Sequence, residues 1–453
     1  MRLALLSLAA LIVATPALSA PLDTAAIDRA AAEVLKTTQV PSASIAVVEG
    51  GRIVYSKAYG MKGPGAPAAR QARYPIASIS KQITATAILM LADEGKLSLD
   101  DKVSKWLPEL TDAGKITVAQ VLSHTSGYRD YWPQDFSFAD MAHSVTPQQI
   151  LNRWAKAPLD FAPGSQWQYS NTGYVVAGQI VEKVSGQPLM AFLTAHVFQP
   201  LGMKSAVDAD TGMTAADAVP HMRYALGPVR VEKPAAPGWL FAAGELAMTA
   251  DDLARWDIGM IDAKLLTPAS YKAQQTPVTL TDGKPTNYGL GIQIDDVDGH
   301  RRLEHGGEAV GFLSENRVYP DDKAAIVVMV SGDFGDAQTA IADRIEGQLF
   351  PQADQTARAR AVFDMLRTGK IDRSLFTVNG NFYFTPTAIA DYRNSLAPLG
   401  QPTGFRQNAA KLRGGFTAER YTVSYPGRTL SVVLRAEPGA NGKIEQFTVY
   451  PAG

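Results

Sequence analysis

The sequence contains no cysteine among its 453 residues, and its charges nearly balance, with 43 Lys and Arg against 44 Asp and Glu. The lack of cysteine excludes disulfides, cysteine nucleophiles and thiolate metal sites. A net charge of −1 provides no basic surface of the kind that binds nucleic acid or an anionic membrane. No nucleic-acid partner is therefore expected.

Long apolar runs are missing beyond the first twenty residues. Met1 and Arg2 precede an apolar run from Leu3 to Ala14, and small residues follow it. This order is typical of a secretory signal peptide, with cleavage predicted after Ser19. The run is too short to cross a bilayer comfortably, so no membrane span is expected after its removal. The sequence thus predicts a secreted or periplasmic protein.

Metal and cofactor motifs are also absent. The six histidines form no His-x-x-x-His pair and no His-Glu-x-x-His run. The chain has no phosphate-binding glycine loop, no dinucleotide fingerprint and no Gly-x-Ser-x-Gly nucleophile motif. Neither a metal nor an organic cofactor is predicted, so the chain's own side chains must carry any chemistry.

Apolar periodicity and turn residues predict strands near both ends of a first domain, with a mainly helical segment between them. Strands are predicted at residues 43–48, 53–59, 289–294, 302–305, 312–319 and 325–331, and helices at 25–35, 78–94, 247–260 and 337–349. Strands far apart in sequence can form one antiparallel sheet. The predicted fold class is α/β (α+β): an antiparallel sheet flanked by helices, with an inserted helical subdomain.

A second, smaller domain is predicted after a short linker at residues 351–354. Its elements are a helix at 357–366 and strands near 415–425, 429–436 and 443–450. The predicted domains are a signal peptide at 1–19, a main domain at 20–350 and a small α+β accessory domain at 355–453.

Three short motifs follow one another along the main domain, namely Ser78-Ile79-Ser80-Lys81, Tyr169-Ser170-Asn171 and His305-Gly306-Gly307. Ser78 and Lys81 begin a predicted apolar helix, where a spacing of three places both side chains on one face. A serine hydroxyl needs a neighbouring base before it acts as a nucleophile. A lysine serves near neutral pH only if its pKa falls by about three units, roughly 4 kcal/mol, and burial supplies such a shift.

The other two motifs have both catalytic and structural interpretations. The Tyr169 phenol can pass a proton, and Asn171 can hydrogen-bond a substrate amide. Two glycines after His305 let a substrate backbone approach closely. Structurally, Ser78 can instead be a helix cap and Lys81 a surface lysine, Tyr169 a core tyrosine that caps a loop, and the two glycines a turn at a strand end. Their combination in this order favours catalysis.

These motifs resemble the serine β-lactamase and penicillin-binding-protein superfamily, in the branch of class C β-lactamases, D-aminopeptidases, DD-carboxypeptidases and related esterases. The resemblance extends to Tyr74–Thr84, Gly95–Val103, Leu122–Gly127 and Ala242–Leu253, and covers about residues 22 to 350. It implies Ser78 as nucleophile, Lys81 as base and Tyr169 in proton transfer. It also implies a substrate-binding set made of Asn171, His305, Gly306, Gly307 and Glu308, with the backbone N–H groups of Ser78 and Glu308 as the oxyanion hole.

Two positions depart from the family pattern. His305 stands where drug-hydrolysing class C relatives have the lysine of Lys-Thr-Gly. Because histidine is largely neutral at pH 7, it is a weaker anchor for a substrate carboxylate, which argues against an efficient β-lactamase. Glu245 stands where the family often has a second glycine.

The predicted function is hydrolysis of esters, or of amides and peptides with D-residues, through an acyl-enzyme on Ser78. An esterase or D-aminopeptidase ranks first, then a DD-carboxypeptidase, then a β-lactamase. The alternative of another class is a penicillin- or peptidoglycan-binding or sensing protein with little turnover. The expected partner is a small-molecule or short-peptide substrate. The oligomeric state stays open, and a homo-oligomer is among the options.

Overall fold

The computed structural model describes residues 22–63, 65–134, 136–297, 299–350, 356–438 and 442–452. The predicted signal peptide at 1–19 lies outside these residues. The chain divides into two compact units. Of the described residues, one unit takes those from Leu22 to Asp296 and His300–Leu349, and the other takes Val297, Gly299, Phe350 and those from Thr356 onwards.

The first unit is built on an antiparallel sheet. Its described strands are β1 (Ser42–Glu49), β2 (Arg52–Gly63), β3 (Ala66–Pro67), β4 (Tyr74–Pro75), β5 (Val207–Asp208), β6 (His221–Met222), β7 (Arg230–Val231), β8 (Leu246–Met248), β9 (Gln293–Val297), β10 (His300–Ala309), β11 (Phe312–Tyr319) and β12 (Ala324–Val330). The main sheet has the order β3-β2-β1-β12-β11-β10-β9. Early and late strands therefore meet at the β1–β12 pair, as the sequence predicted.

Helices supply most of the remaining structure of this unit. They are α1 (Thr24–Thr38), α2 (Ser80–Asp93), α3 (Val118–Leu122), α4 (Pro147–Ile150), α5 (Asn171–Ser185), α6 (Leu189–Leu193), α7 (Gln199–Leu201), α8 (Ala209–Gly212), α9 (Phe241–Gly244), α10 (Ala250–Ile261), α11 (Pro268–Gln274) and α12 (Ala337–Leu349). Single turns of 3₁₀ helix at Ala77–Ile79, Val103–Lys105 and Ala139–Ala142, and π-helical turns at Leu151–Ala155 and Thr194–Phe198, complete the set. Helices α2 to α11 lie between the early and the late strands in sequence. The predicted fold class is confirmed.

Burial on both faces explains the composition of the central strand β12. All seven of its residues are buried, and none is charged. Helix α12 and helix α10 both pack against it, so each face is covered. The sequence of a strand with no solvent-facing side is a continuous apolar run, not an alternation of apolar and polar residues.

Helix α2 is buried on nearly every side, which positions the Ser-x-x-Lys motif. Eleven of its fourteen residues are buried. It packs against α5, α9 and α11. Its basic residue Lys81 is completely buried near the start of the helix. A side chain carried by such a helix has a fixed position relative to the surrounding elements.

The second unit is a four-stranded antiparallel sheet with helices. Its described elements are α13 (Thr356–Arg367), α14 (Val378–Tyr383), α15 (Pro386–Leu396), β13 (Gly404–Arg413), β14 (Phe416–Tyr425), β15 (Arg428–Ala436) and β16 (Ile444–Pro451), with 3₁₀ turns at Arg373–Leu375 and Ala397–Leu399. The sheet order is β13-β14-β15-β16. Alternate residues of β15 are buried, as expected for a sheet with one covered face.

Several predicted boundaries were wrong. The helix predicted at 247–260 begins only at Ala250, because Leu246–Met248 pairs as a strand between β4 and β5, and Thr249 caps the helix. The helix predicted from Ser78 starts as a 3₁₀ turn. The strand predicted at 289–294 begins at Gln293. The His-Gly-Gly motif does not end a strand, since β10 continues to Ala309.

Candidate active site

Ser78 lies in the tight turn that leads into helix α2. The turn spans Ala77–Ile79, and the backbone of Ala77 has a positive φ of 47°. A non-glycine residue rarely adopts this left-handed conformation, and such strained positions concentrate at functional sites. Ser78 is half-buried and lines a cleft of about 1010 Å³.

Lys81 points at the Ser78 hydroxyl from the helix interior. Its Nζ lies 3.0 Å from Ser78 Oγ, 2.8 Å from Asn171 Oδ1 and 2.7 Å from the Ala243 carbonyl oxygen. Burial lowers the pKa of Lys81 to about 7, although the Asp130 carboxylate opposes this shift. A large neutral fraction is therefore present at neutral pH. A neutral amine has two N–H groups, which Asn171 and Ala243 accept, and its lone pair is left for the Ser78 proton.

Asp130 fixes the amide of Asn171. The backbone N–H of Asn171 donates to Asp130 Oδ1 at 3.0 Å, and its Nδ2 donates to Asp130 Oδ2 at 3.3 Å. The side-chain oxygen of Asn171 is thereby turned towards Lys81. Burial raises the pKa of Asp130, while hydrogen bonds and Lys81 act in the opposite direction. Asp130 could not be predicted from the sequence, since a lone aspartate in a loop carries no motif.

Tyr169 contacts both Ser78 and Lys81. Its ring centroid is 4.8 Å from Lys81 Nζ, and its hydroxyl hydrogen-bonds with Ser78. Burial raises the pKa of Tyr169 above its usual value, so the phenol keeps its proton at neutral pH. The Ser78 hydroxyl thus lies within hydrogen-bonding reach of both the Lys81 amine and the Tyr169 phenol.

The His305 ring has no free nitrogen facing the cleft. Its Nδ1 lies 2.6 Å from the Gly306 carbonyl oxygen, which can only accept, so Nδ1 carries the proton. Its Nε2 then accepts from the Tyr288 hydroxyl at 2.9 Å. Burial, followed by the charge of Lys81, lowers the pKa of His305 to about 4. The imidazole is therefore neutral at pH 7. Tyr288 is a second site residue that no sequence motif indicates.

Gly307 brings strand β10 close to the serine turn. A Cβ atom built on Gly307 would lie 2.1 Å from the Ile76 carbonyl oxygen and 2.2 Å from Ser314 Oγ. Ser314 Oγ itself donates to the Ile76 carbonyl at 3.0 Å. Any side chain larger than hydrogen would push the strand away. Gly306 has no comparable restriction, because a Cβ atom added there would meet only the Ser314 carbonyl oxygen, at 3.8 Å.

The structure brings the sequence-predicted site residues to one place. Ser78, Tyr169, Asn171, His305, Gly306, Gly307 and Glu308 all line the same cleft. Lys81 lies directly behind Ser78. Strand β10 contacts the turn that carries Ser78, so both predicted oxyanion donors border the cleft. The individual roles of these residues remain predictions.

Carboxylates outnumber cations along this cleft. The acidic lining residues are Asp130, Glu232, Glu308, Glu315, Asp333 and Asp336. Glu315 is paired with Arg317 at 2.9 Å. Among the lining residues that the structure describes, Arg223 is the sole cation, and it donates to two backbone carbonyls of its own hairpin. The electrostatic environment therefore favours a cationic over an anionic substrate group.

His124 and Glu245 support the site without lining it. His124 Nδ1 accepts the Ser170 backbone N–H at 3.1 Å, and its ring packs 4.3 Å from that of Tyr169. This geometry agrees with a residue that braces the loop. Glu245 is buried, and burial followed by the Asp208 carboxylate raises its pKa to about 8. Glu245 comes two residues after Ala243, whose carbonyl oxygen contacts Lys81.

Two further properties concern the described residues. No helix among them is both long and apolar enough to cross a membrane. They also contain no group of three or more histidine or acidic side chains that could hold a metal ion.

A serine beside a buried lysine of lowered pKa, open to a cleft, defines the protein as a serine hydrolase. The Beta-lactamase family profile matches residues 27–349. The chain therefore belongs to this family, as the sequence resemblance predicted.

Three comparisons illustrate the relationship. The chain is 27% identical over 339 residues to a D-aminopeptidase from Brucella canis, covering 71% of this chain but only 62% of that longer protein. It is 29% identical to a D-stereospecific amidohydrolase from Streptomyces sp., with a TM-score of 0.63 over 73% of this chain and all of the other. An octameric penicillin-binding protein homologue from Pyrococcus abyssi has a TM-score of 0.65 over 95% of this chain and 97% of the other, at 20% identity, which shows the fold alone.

Proposed function

We propose that the protein hydrolyses amides of D-amino acids that carry a free amino group, through an acyl-enzyme on Ser78. The observation that carries the hydrolytic part is the 3.0 Å contact between Ser78 Oγ and Lys81 Nζ, together with a Lys81 pKa of about 7. The D-aminopeptidase and the D-stereospecific amidohydrolase among the similar proteins support the choice of D-residue amides.

Acylation follows from the contacts around Ser78. Neutral Lys81 takes the hydroxyl proton while Oγ forms a bond to the substrate carbonyl carbon. The backbone N–H groups of Ser78 and Glu308 stabilise the oxyanion, and two such donors contribute several kcal/mol. The Tyr169 hydroxyl donates to the leaving amine as the amide bond breaks, and the proton held by Lys81 replaces it. Water then attacks the ester by the reverse sequence.

The His305-Gly306-Gly307 motif argues against a carboxypeptidase that anchors a substrate carboxylate. His305 is neutral, and both of its ring nitrogens are engaged by Gly306 and Tyr288. The excess of carboxylates along the cleft also repels an anionic substrate end. The same features suit a protonated substrate amine, which supports aminopeptidase-like amide hydrolysis over DD-carboxypeptidase and β-lactamase activity.

The test compares three substrates on the full-length protein. We expect hydrolysis of D-alanine p-nitroanilide, at least tenfold slower hydrolysis of the L enantiomer, and little release of D-alanine from an N-acylated D-Ala-D-Ala peptide. Ser78→Ala should lose the anilide activity. Preferred hydrolysis of the acylated peptide would replace this proposal with a DD-carboxypeptidase, and wild-type turnover no higher than that of Ser78→Ala would favour a binding or sensing protein.

The place of action and the assembly state are also proposals. Export follows from the signal-peptide pattern before Ala20. N-terminal sequencing of protein recovered from the native host's periplasm or medium should begin at Ala20.

Assembly into a homo-oligomer is suggested by the octameric homologue. Light scattering on the purified protein decides between monomer and oligomer.

A further inference from the structure

Exposed aromatic side chains from three separate segments line the cleft that holds Ser78. Phe136 and Tyr224 are each 68% exposed, and Trp167 is 39% exposed. Single exposed apolar residues are common on protein surfaces, but several that converge on one concavity indicate a binding surface. These three residues form the aromatic wall.

The first segment of the wall is held by Trp132, which also lines the cleft. Its backbone N–H donates to Asp130 Oδ1 at 3.2 Å, and its indole Nε1 donates to the Phe136 carbonyl at 3.2 Å. Asp130 is the residue that also orients Asn171. The backbone at Phe136 is therefore tied to the same carboxylate as the catalytic cluster.

The other two aromatic residues are also positioned. Arg223 donates to the Gly227 carbonyl at 2.7 Å and to the Leu226 carbonyl at 3.1 Å, which closes the β6–β7 hairpin next to Tyr224. The Trp167 ring lies 5.7 Å from the ring of Tyr288, the partner of His305. The Trp167 ring thus packs against Tyr288 of the site, and Tyr224 is carried by a hairpin that hydrogen bonds close.

We propose that the aromatic wall binds a large apolar substrate side chain, so that the enzyme prefers amides of aromatic D-amino acids to those of D-alanine. This inference rests on the proposed D-amidase function. An aromatic side chain buries a large area and stacks edge-to-face on other rings, gains that a methyl group cannot provide. Continuity of the wall with the cleft that holds Ser78 favours the substrate over a partner protein as its occupant.

The test measures kcat/KM for the p-nitroanilides of D-phenylalanine and D-alanine on the full-length protein. We expect the wild-type ratio to exceed ten, since differences of this kind in an apolar pocket change rates about tenfold or more. Phe136→Ala and Tyr224→Ala should each lower the ratio several-fold. Leu226→Ala is the matched control, because this 90% exposed side chain neighbours Tyr224 but lies outside the cleft lining, and it should leave the ratio unchanged.

Different results separate the two proposals. A wild-type ratio near one, or a ratio that neither Phe136→Ala nor Tyr224→Ala alters, would overturn the aromatic preference and leave the D-amidase proposal standing. Hydrolysis of neither anilide would overturn the D-amidase proposal itself. In that case p-nitrophenyl acetate and p-nitrophenyl phenylacetate replace the anilides, and equal kcat/KM for these two esters would refute the wall as a side-chain site.

Discussion

Lys81→Met should remove the part of the first unit's pH-dependent stability that comes from Lys81. The folded pKa of Lys81 is about 7 against an ordinary value of 10.5. Between these two values the Lys81 of the unfolded chain binds a proton that the folded protein does not bind at this residue, so the Lys81 contribution to wild-type stability rises with pH through this window. The slope is about 1.4 kcal/mol per pH unit, which gives roughly 2–3 kcal/mol between pH 7 and pH 9.

Methionine at position 81 has no proton to bind, so the variant lacks this contribution. It also leaves Asn171 Oδ1 and the Ala243 carbonyl without their donor, but that penalty does not vary with Lys81 titration. The difference in unfolding free energy between wild type and variant should therefore move in favour of wild type by roughly 2–3 kcal/mol from pH 7 to pH 9. Below pH 7 the difference should become nearly constant.

Urea unfolding followed by tryptophan fluorescence provides the assay. All six tryptophans lie in the first unit, so their emission reports that unit. Lys36→Met, a change at an exposed lysine, is the control and should show no such pH dependence. The same difference at pH 6, 7, 8 and 9 for Lys81→Met would refute the lowered pKa of Lys81 and with it the assignment of a neutral base.

Two other predictions concern activity. The kcat/KM for the D-anilide should fall as the pH drops through about 7, because protonated Lys81 cannot accept the Ser78 proton; an acid limb centred near pH 4 instead would exclude Lys81 as the base. Gly307→Ala should reduce kcat/KM by at least a hundredfold, since its Cβ would lie 2.1 Å from the Ile76 carbonyl oxygen and a misplacement of about 1 Å can cost that much. Gly306→Ala, with space around its Cβ, serves as the control, and equal activity of the two variants would contradict this account of strand β10.

Much of the first unit could be predicted because its signals are local. The apolar helix after Ser78 and the apolar run of β12 directly predict buried elements. The helix predicted at 247–260 is present from Ala250, yet the three-residue strand just before it was missed. A strand of that length has no period, and only its pairing with β4 and β5 defines it.

The motif residues of the site could be predicted from the sequence, but the residues that hold them in place could not. Ser78 and Lys81 are linked by helical spacing, which is visible in the sequence. Asp130 and Tyr288 reach the site only through tertiary contacts with Asn171 and His305. Loop residues of this kind carry no spacing signal, so the structure is needed to find them.

The glycine motif shows how pairing can override a local signal. Gly306 and Gly307 predicted the end of a strand, yet β10 continues through them to Ala309. The neighbouring strand β11 supplies the pairing, with Gly306 opposite Glu315 and Gly307 opposite Ser314. The glycine at 307 serves a close approach to the Ile76 backbone rather than a turn.

The central claim is a covalent acyl-enzyme on Ser78. Intact mass spectrometry of the full-length protein after rapid quenching from a D-phenylalanine ester tests it most directly, because an ester acylates fast enough for the intermediate to accumulate. We expect an added mass of one phenylalanine residue, because the D-phenylalanyl group replaces the Ser78 hydroxyl hydrogen, located on the peptide containing Ser78 and absent from Ser78→Ala. Turnover of the ester with no adduct on wild type, or an equal adduct on Ser78→Ala, would contradict it.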